Sequence, residues 1–263
     1  IVAHLHSARM RAEQLSEYLF PTAEVLSGKD HRPKVSVLTY CYQYLRRFSY
    51  YLESLARQEL PPGTLEIVVV DPHSPDGLSE FLRTFAERHP QVRVIRQPIS
   101  RQFHRNRGVC INRAFDLSQG EVIVSTDGDI LFPPALIGQL AAMVTAHPDR
   151  AFGVRRSFLS QKLTKEVLEG KTDPFRHLNM LMRNSGDGEP EAREGVLGYC
   201  QAVHRDRFAL ARYPEEFDRV NQSDIVFLER LKKHAGVEPQ LLPDRAVLHL
   251  WHPRNWAGTT EPL

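Results

Sequence analysis

Asp127 and Asp129 stand one residue apart in VIVSTDGDILFPP (122–134), directly after an apolar run and just before Pro133 and Pro134. Asp and Gly together often make no more than a turn. Carboxylates at this spacing also suit a divalent cation, which takes oxygen ligands. Near the other end of the chain, HLWHP supplies His249 and His252. A lone histidine by a strand end is more often structural, but two beside Trp251 are harder to dismiss. Imidazole with carboxylate suits Mn2+, with Mg2+ the alternative. Asp129, a histidine of this pair and two phosphate oxygens of a ligand could complete a metal centre.

Two further groups carry chemistry. Asp224 opens SDIVFLERLKKHAG (223–236). An acidic residue in a first turn can cap the helix or favour its macrodipole; facing a cleft, the same carboxylate can be a general base. SRQFHRNRG gathers Arg101, His104, Arg105 and Arg107 within nine residues at the entry to a helix. The loop has a single aromatic, Phe103, and the net charge is only +2, from 34 basic and 32 acidic residues, so nucleic acid fits poorly. Arginines entering a helix N-terminus suit a phosphate-bearing ligand better.

Elements must hold these side chains in place. KVSVLTY (34–40), LEIVVVD (65–71), VRVIRQ (92–97) and EVIVSTDGD (121–129) read as buried strands. Between them, YLRRFSYYLESLARQ (44–58) repeats apolar residues at helical spacing, DGLSEFLRTFAERHP (76–90) is a helix stopped by Pro90, and FHRNRGVCINRAFDLSQG (103–120) is a loop entering a helix. This strand–helix alternation predicts a parallel sheet covered on both faces. Ligands in such sheets sit at the carboxyl ends of the strands, where Asp71, Asp127 and Asp129 all fall. Helices are expected over 132–148, 159–170 and 223–236, a polar loop over 183–195, and a short strand with an aromatic tail over 246–256. Residues 7–20 have helical spacing ended by Pro21, and SGKDHRP reads as a linker, so residues 1–33 are expected to be an N-terminal helical extension and linker, and 34–263 the main domain.

Composition narrows the class. The chain, 263 residues long, can bury a full core without staples. Cys41, Cys110 and Cys200 are too few and too scattered for a disulfide framework or a zinc pattern, and read as buried small hydrophobes in a reducing compartment. No apolar run is long enough to span a membrane. The chain opens at Ile1, which leaves room for an upstream membrane stem.

VSVLTYCYQYLRRFSYYLESLARQ, EIVVVDPHSPDG, HRNRGVCINRA, GEVIVSTDGD and SDIVFLERLKK, in this order over residues 34–252, together resemble the GT-A fold glycosyltransferases of family 2. The resemblance implies an α/β, Rossmann-like GT-A fold: a central, mostly parallel sheet flanked by helices, with an Asp-X-Asp motif at a strand end. It implies a metal-dependent, inverting enzyme that moves a sugar from a nucleotide-diphosphate donor, a UDP-sugar by preference, to a hydroxyl of a glycan or another acceptor. It assigns Asp71 to the uracil N3–H, Asp127 to the ribose or sugar, Asp129 with His249 or His252 to Mn2+ (or Mg2+), and Asp224 to the catalytic base. Arg105, in the Arg-Asn helix start, joins the nucleotide contacts. Two departures stand out. The Pro-Thr that usually follows the first strand is Thr39-Tyr40, which then fall to the nucleotide contacts. The Glu-Asp pair before the base helix is Ser223-Asp224, which leaves one carboxylate.

Two other readings share some of these features. Phosphotransferases of the haloacid dehalogenase type also carry Asp-X-Asp after a strand, but on the first strand and followed by Thr or Val; here the motif is on the fourth and Ile130-Leu131 follow. A non-catalytic module that binds sugar nucleotides or glycans would show affinity without turnover. Asn221-Gln222-Ser223 is a glycosylation sequon beside the expected base, and a glycan there would crowd the site, so a cytoplasmic location is expected.

Overall fold

VSVLTY, LEIVVVD and VIVST are apolar on both faces, and such strands are stable only between two layers of helix. In the computed structural model, which describes residues 15–183, 185, 195–217 and 222–253, they form β2 (Val35–Tyr40), β3 (Leu65–Asp71) and β5 (Val122–Thr126). With β4 (Arg93–Pro98) they make a parallel block in the order β4-β3-β2-β5. Val35 lies opposite Leu65 on one side and Val122 on the other, so the three carboxyl ends finish at one edge.

Alternation then splits the core into two layers. Val35, Val37, Ile67, Val69 and Val124 face α1 (Leu45–Ala56), α2 (Leu78–Arg88) and α4 (Leu136–Ala146) through Phe48, Leu52, Leu82, Phe85, Ile137 and Leu140. Leu38, Val68, Val70 and Ile123 face α3 (Arg107–Leu117), α7 (Arg205–Ala211) and α8 (Ser223–Ala235) through Ile111, Ala114, Phe208, Phe227 and Leu231. No helix among the described residues is long and apolar enough to cross a membrane.

Beyond β5 the sheet changes character. β6 (Ile130–Leu131), β7 (Arg150–Phe158), β8 (Cys200–His204) and β9 (Glu238–His249) extend it in the order β5-β8-β7-β9-β6. β7 and β9 run parallel, while β5–β8, β8–β7 and β9–β6 are antiparallel. The sheet is therefore parallel from β4 to β5 and mixed beyond β5. α5 (Gln161–Leu168) and α6 (Pro174–Arg183) close a third apolar cluster, in which Leu131, Leu159, Val167, Leu181, Leu248 and Leu250 are buried.

Within the segment 1–33, expected to be an extension and linker, Glu24–Ser27 forms β1, an antiparallel edge strand on β4. The strand expected from residue 246 starts at Glu238 and ends at His249. Its first half is largely exposed and carries Pro239 and Pro243, which hide a strand from a pattern reading. Of the N-terminal helix, residues 15–19 are described and helical; most of the 183–195 loop, Asn221 and Trp256 lie outside the described residues.

Candidate functional site

The turn after β5 is shaped by contact from α1. A Cβ on Gly128 would lie 2.5 Å from Phe48 Cδ2 and 2.9 Å from the Tyr44 hydroxyl, so only glycine fits between the two aspartates. The turn sends Asp127 and Asp129 in different directions.

Asp129 goes to the histidines. β6 follows it immediately and pairs with the end of β9, Ile130 opposite His249, and the Leu250 N–H donates to the Asp129 carbonyl at 2.9 Å. This register brings residues far apart in sequence to one place: donor atoms of Asp129, His249 and His252 all lie within 4.8 Å of one another. Asp129 Oδ2 is 3.2 Å from His252 Nε2 and 3.6 Å from His249 Nε2. His252 Nδ1 is 2.9 Å from the Pro253 carbonyl; donation there points Nε2 at the cluster. Asp129 Oδ1 and His249 Nδ1 are buried and have no hydrogen-bond partner among the described residues. Burial alone would raise the Asp129 carboxyl, but His249 and then His252 outweigh it and hold it well below the usual carboxylate range. Burial would lower His252, and its bond to Asp129 instead raises it.

Asp127 goes to α3. Its Oδ1 accepts from Arg107 Nη1, and its own N–H donates to the Tyr199 carbonyl at 3.2 Å. Arg107 is 3% exposed, lies over the Tyr213 ring at 5.6 Å, and donates from Nη2 to the Gly198 carbonyl. Burial opposes its charge; Asp127 more than restores it, and the guanidinium is held firmly protonated. The Gly198 N–H in turn donates to Asp224 Oδ2 at 2.8 Å. A Cβ on Gly198 would sit 2.8 Å from Asp224 Cβ, so this approach too needs glycine. Asp127, Arg107, Gly198 and Asp224 thus form one connected chain. Asp224 does not cap its helix: the N-cap is Gln222, and the carboxylate reaches Gly198 instead.

Asp71 ends β3 and is 1% exposed. Its Oδ2 accepts from Arg96 Nε and Nη2 at 2.9 and 2.6 Å, and its Oδ1 from the Ser74 N–H at 2.7 Å. One of about four acceptor positions on the carboxylate is left. Ser74 also receives the Gln43 N–H and donates to Asp76, which accepts from Leu45 N at the start of α1, so the loops after β2 and β3 are tied together.

Thr39 and Tyr40 lie on opposite faces of β2, and Arg105 and Arg107 on either side of the N-cap of α3. Thr39 faces the α1 layer and is fully buried, because it shares the face of Val35 and Val37; Tyr40, on the other face, is the half-exposed member of the pair. Burial raises the Tyr40 phenol, against the pull of Arg107. Arg105 precedes the N-cap Asn106 and is exposed; the arginine that meets Asp127 is Arg107. A signal for Arg107 existed: as the first helical residue it shares a face with Cys110, Ile111 and Ala114, all buried. Nothing in the sequence pointed to Gly198, Tyr213 or Arg96.

Comparison with known proteins bears on this geometry. The model of the family described as glycosyl transferase family 2 matches residues 36–196. A dolichyl-phosphate beta-glucosyltransferase of Trichomonas vaginalis is 35% identical over 79 residues, 30% of this chain and 22% of that protein. Among solved structures, S. aureus TarS in complex with UDP-GlcNAc aligns with a TM-score of 0.61 at 16% identity, over 86% of this chain and 61% of that one. The mannosyltransferase PcManGT of Pyrobaculum calidifontis, in complex with GDP-Man and Mn2+, aligns at 0.59 and 20% identity, over 94% and 64%. The chain spans less than two thirds of each of these proteins. At such identities the structural likeness shows the fold, which is GT-A.

Proposed function

The chain belongs to glycosyl transferase family 2, and from that premise we propose that it transfers a sugar from a nucleotide-diphosphate donor, a UDP-sugar by preference, to an acceptor hydroxyl with inversion. One observation carries the reading. At the carboxyl edge of the sheet, one turn carries Asp129 into an Asp-His-His cluster and Asp127 into a connected chain that ends on Asp224.

The cluster suits a metal. One carboxylate and two imidazoles are a donor set for Mn2+, with Mg2+ less favoured by nitrogen ligands. Asp129 Oδ1 and His249 Nδ1, buried without partners, are what a site awaiting further ligands or outer contacts would show. Asp129, His249 and His252 would hold the ion, which when bound would act as a Lewis acid on the charge developing on the departing diphosphate.

The remaining roles fall to the chain's own groups. Asp127, about one-third exposed, contacts the ribose or the sugar with the oxygen that Arg107 leaves open. Asp224 keeps Oδ1 for the acceptor hydroxyl while Gly198 fixes Oδ2. As the acceptor oxygen bonds to the anomeric carbon and the bond to the diphosphate breaks, the acceptor proton passes to Asp224. A single base opposite the leaving group gives inversion. Asp71 offers its last acceptor position to the uracil N3–H, and Tyr40 lines the approach. Arg105, exposed before α3, meets the donor's negative charge.

The test is turnover of UDP-, GDP- and CDP-sugars with Mn2+, followed as release of the nucleoside diphosphate. Mn2+-dependent turnover of a UDP-sugar is expected. Full turnover in EDTA would remove the metal from the mechanism, and preference for a GDP-sugar would overturn the uracil assignment. Binding without turnover in any acceptor panel would make the protein a sugar-nucleotide-binding module.

A further inference from the structure

Arg96 spends its guanidinium on two carboxylates at once. Nε and Nη2 grip Asp71, and Nη1 donates to Glu24 Oε1 on β1, directly across the strand pair. Glu24 also accepts from Arg83 at 2.8 Å. The arm that carries it is anchored along the edge of β4. The Ser100 N–H donates to the Leu19 carbonyl at 2.8 Å and Gln97 Nε2 to the Pro21 carbonyl at 2.7 Å. Phe20 stacks on Phe103 at 5.4 Å, with Arg113 over its ring at 3.7 Å.

We propose that Glu24 is a positioning residue for base recognition: it fixes the plane of the Arg96 guanidinium, which in turn orients Asp71. The inference rests on the nucleotide reading of Asp71 given above. A planar guanidinium held at only one oxygen can rotate about that contact; a second carboxylate on the third nitrogen removes the freedom. Asp71 has a single acceptor position left for a ligand, so its direction matters. Burial favours the neutral form of Glu24, but Arg83 and Arg96 outweigh it and keep the carboxylate ionised. The N-terminal arm is by this account part of the nucleotide site, although it lies at the outer edge of the sheet, beyond β4.

Glu24→Gln keeps size and removes the charge. Nucleoside diphosphate affinity is measured by calorimetry with Mn2+, for UDP, GDP and CDP. The variant is expected to bind the preferred nucleotide about tenfold more weakly, the size of one network coupling, and to discriminate less among bases. Affinity for Mn2+-pyrophosphate, which has no base, should not change. In an Asp71→Asn background, Glu24→Gln should add no further loss, because its effect runs through Asp71. Arg83→Gln removes the other partner of Glu24 and serves as the control for a loosened sheet edge; it should bind like wild type. Equal nucleotide affinity of Glu24→Gln and wild type would overturn the positioning role alone. So would a loss in Arg83→Gln as large as that in Glu24→Gln, or equal losses for nucleotide and pyrophosphate. Failure of wild type to bind any of the three nucleotides would instead overturn the nucleotide reading itself.

Discussion

Arg105 and Arg107 lie two positions apart and meet different worlds: one faces solvent before the N-cap of α3, the other is buried against Asp127, Gly198 and Tyr213. The residue types of the site were legible in the sequence, since paired carboxylates after an apolar strand are a visible pattern. Which of two arginines turns inward depends on helical phase and on a backbone carbonyl, Gly198, that no pattern announces. Each role has its own test. Asp129→Ala should abolish Mn2+ binding in calorimetry, and with it donor turnover; unchanged Mn2+ affinity would place the ion elsewhere. Asp224→Asn keeps an oxygen for the Gly198 N–H but cannot take a proton. It should lose about 10²–10⁴-fold in turnover with melting temperature and UDP affinity nearly unchanged, and retention of more than about a tenth of the rate would return Asp224 to a structural role. The histidines add a pH dependence. In the metal-free protein the raised His252 contributes stability below its unfolded pKa and loses it as pH rises through the folded value. The depressed Asp129 contributes above its unfolded pKa and loses it as pH falls through the folded value. The pair is therefore intact in mildly acid solution, where an ion must displace the proton on His252. Mn2+ affinity should fall by about tenfold per pH unit below the folded pKa of His252, starting above the ~6.5 of a free imidazole. A flat affinity across pH 6 to 8 would mean that His252 is not a ligand.

Elements were legible where one period dominated. β2, β3 and β5 read as apolar runs and α1 as a helical stripe because each is buried by neighbours of one kind. β9 failed as a pattern because its first half has no buried face and bears prolines, and its pairing is supplied by β7, itself unread. β1 failed because four residues, half of them polar, are strand only by virtue of β4. The DGD turn shows how elements set residues. Its shape comes from Phe48 and Tyr44 on and beside α1, pressed against Gly128. Gly128→Ala should therefore act as an overpacking substitution worth about 1–3 kcal/mol, read by chemical denaturation. Because the added methyl must push α1 or the turn aside, Mn2+ affinity should weaken as well, although no ligand is altered. A stability loss with unchanged Mn2+ affinity would mean that the turn yields without moving Asp129.

Across the whole molecule, the sheet joins two unlike halves. The parallel half, β4-β3-β2-β5, carries Asp71 and Tyr40. The mixed half, through β7, β8 and β9, brings Gly198, Asp224, His249 and His252 to the same edge. The alternating pattern of the first half made the fold class readable. The second half, with its antiparallel pairings and exposed strands, could be placed only in three dimensions. Asp129 follows the last strand of the first half and its two histidines end the second, so an ion held by all three would tie the halves together. A ligand that binds only the native state stabilises all of it: at about 100 times its Kd the gain is ~2.7 kcal/mol. For a chain of this size each kcal/mol is worth roughly 2–4 °C in Tm. Saturating Mn2+ should therefore raise the melting temperature by roughly 5–11 °C, reversibly with EDTA. UDP should add a further rise only when Mn2+ is present, because its phosphate oxygens would be held through the ion. Asp129→Ala should melt at the same temperature with and without Mn2+. Equal rises in wild type and in Asp129→Ala would show that the ion stabilises the protein from another site, and the two halves would then be joined by the β5–β8 pairing, the shared core and the Asp127–Arg107–Gly198–Asp224 chain.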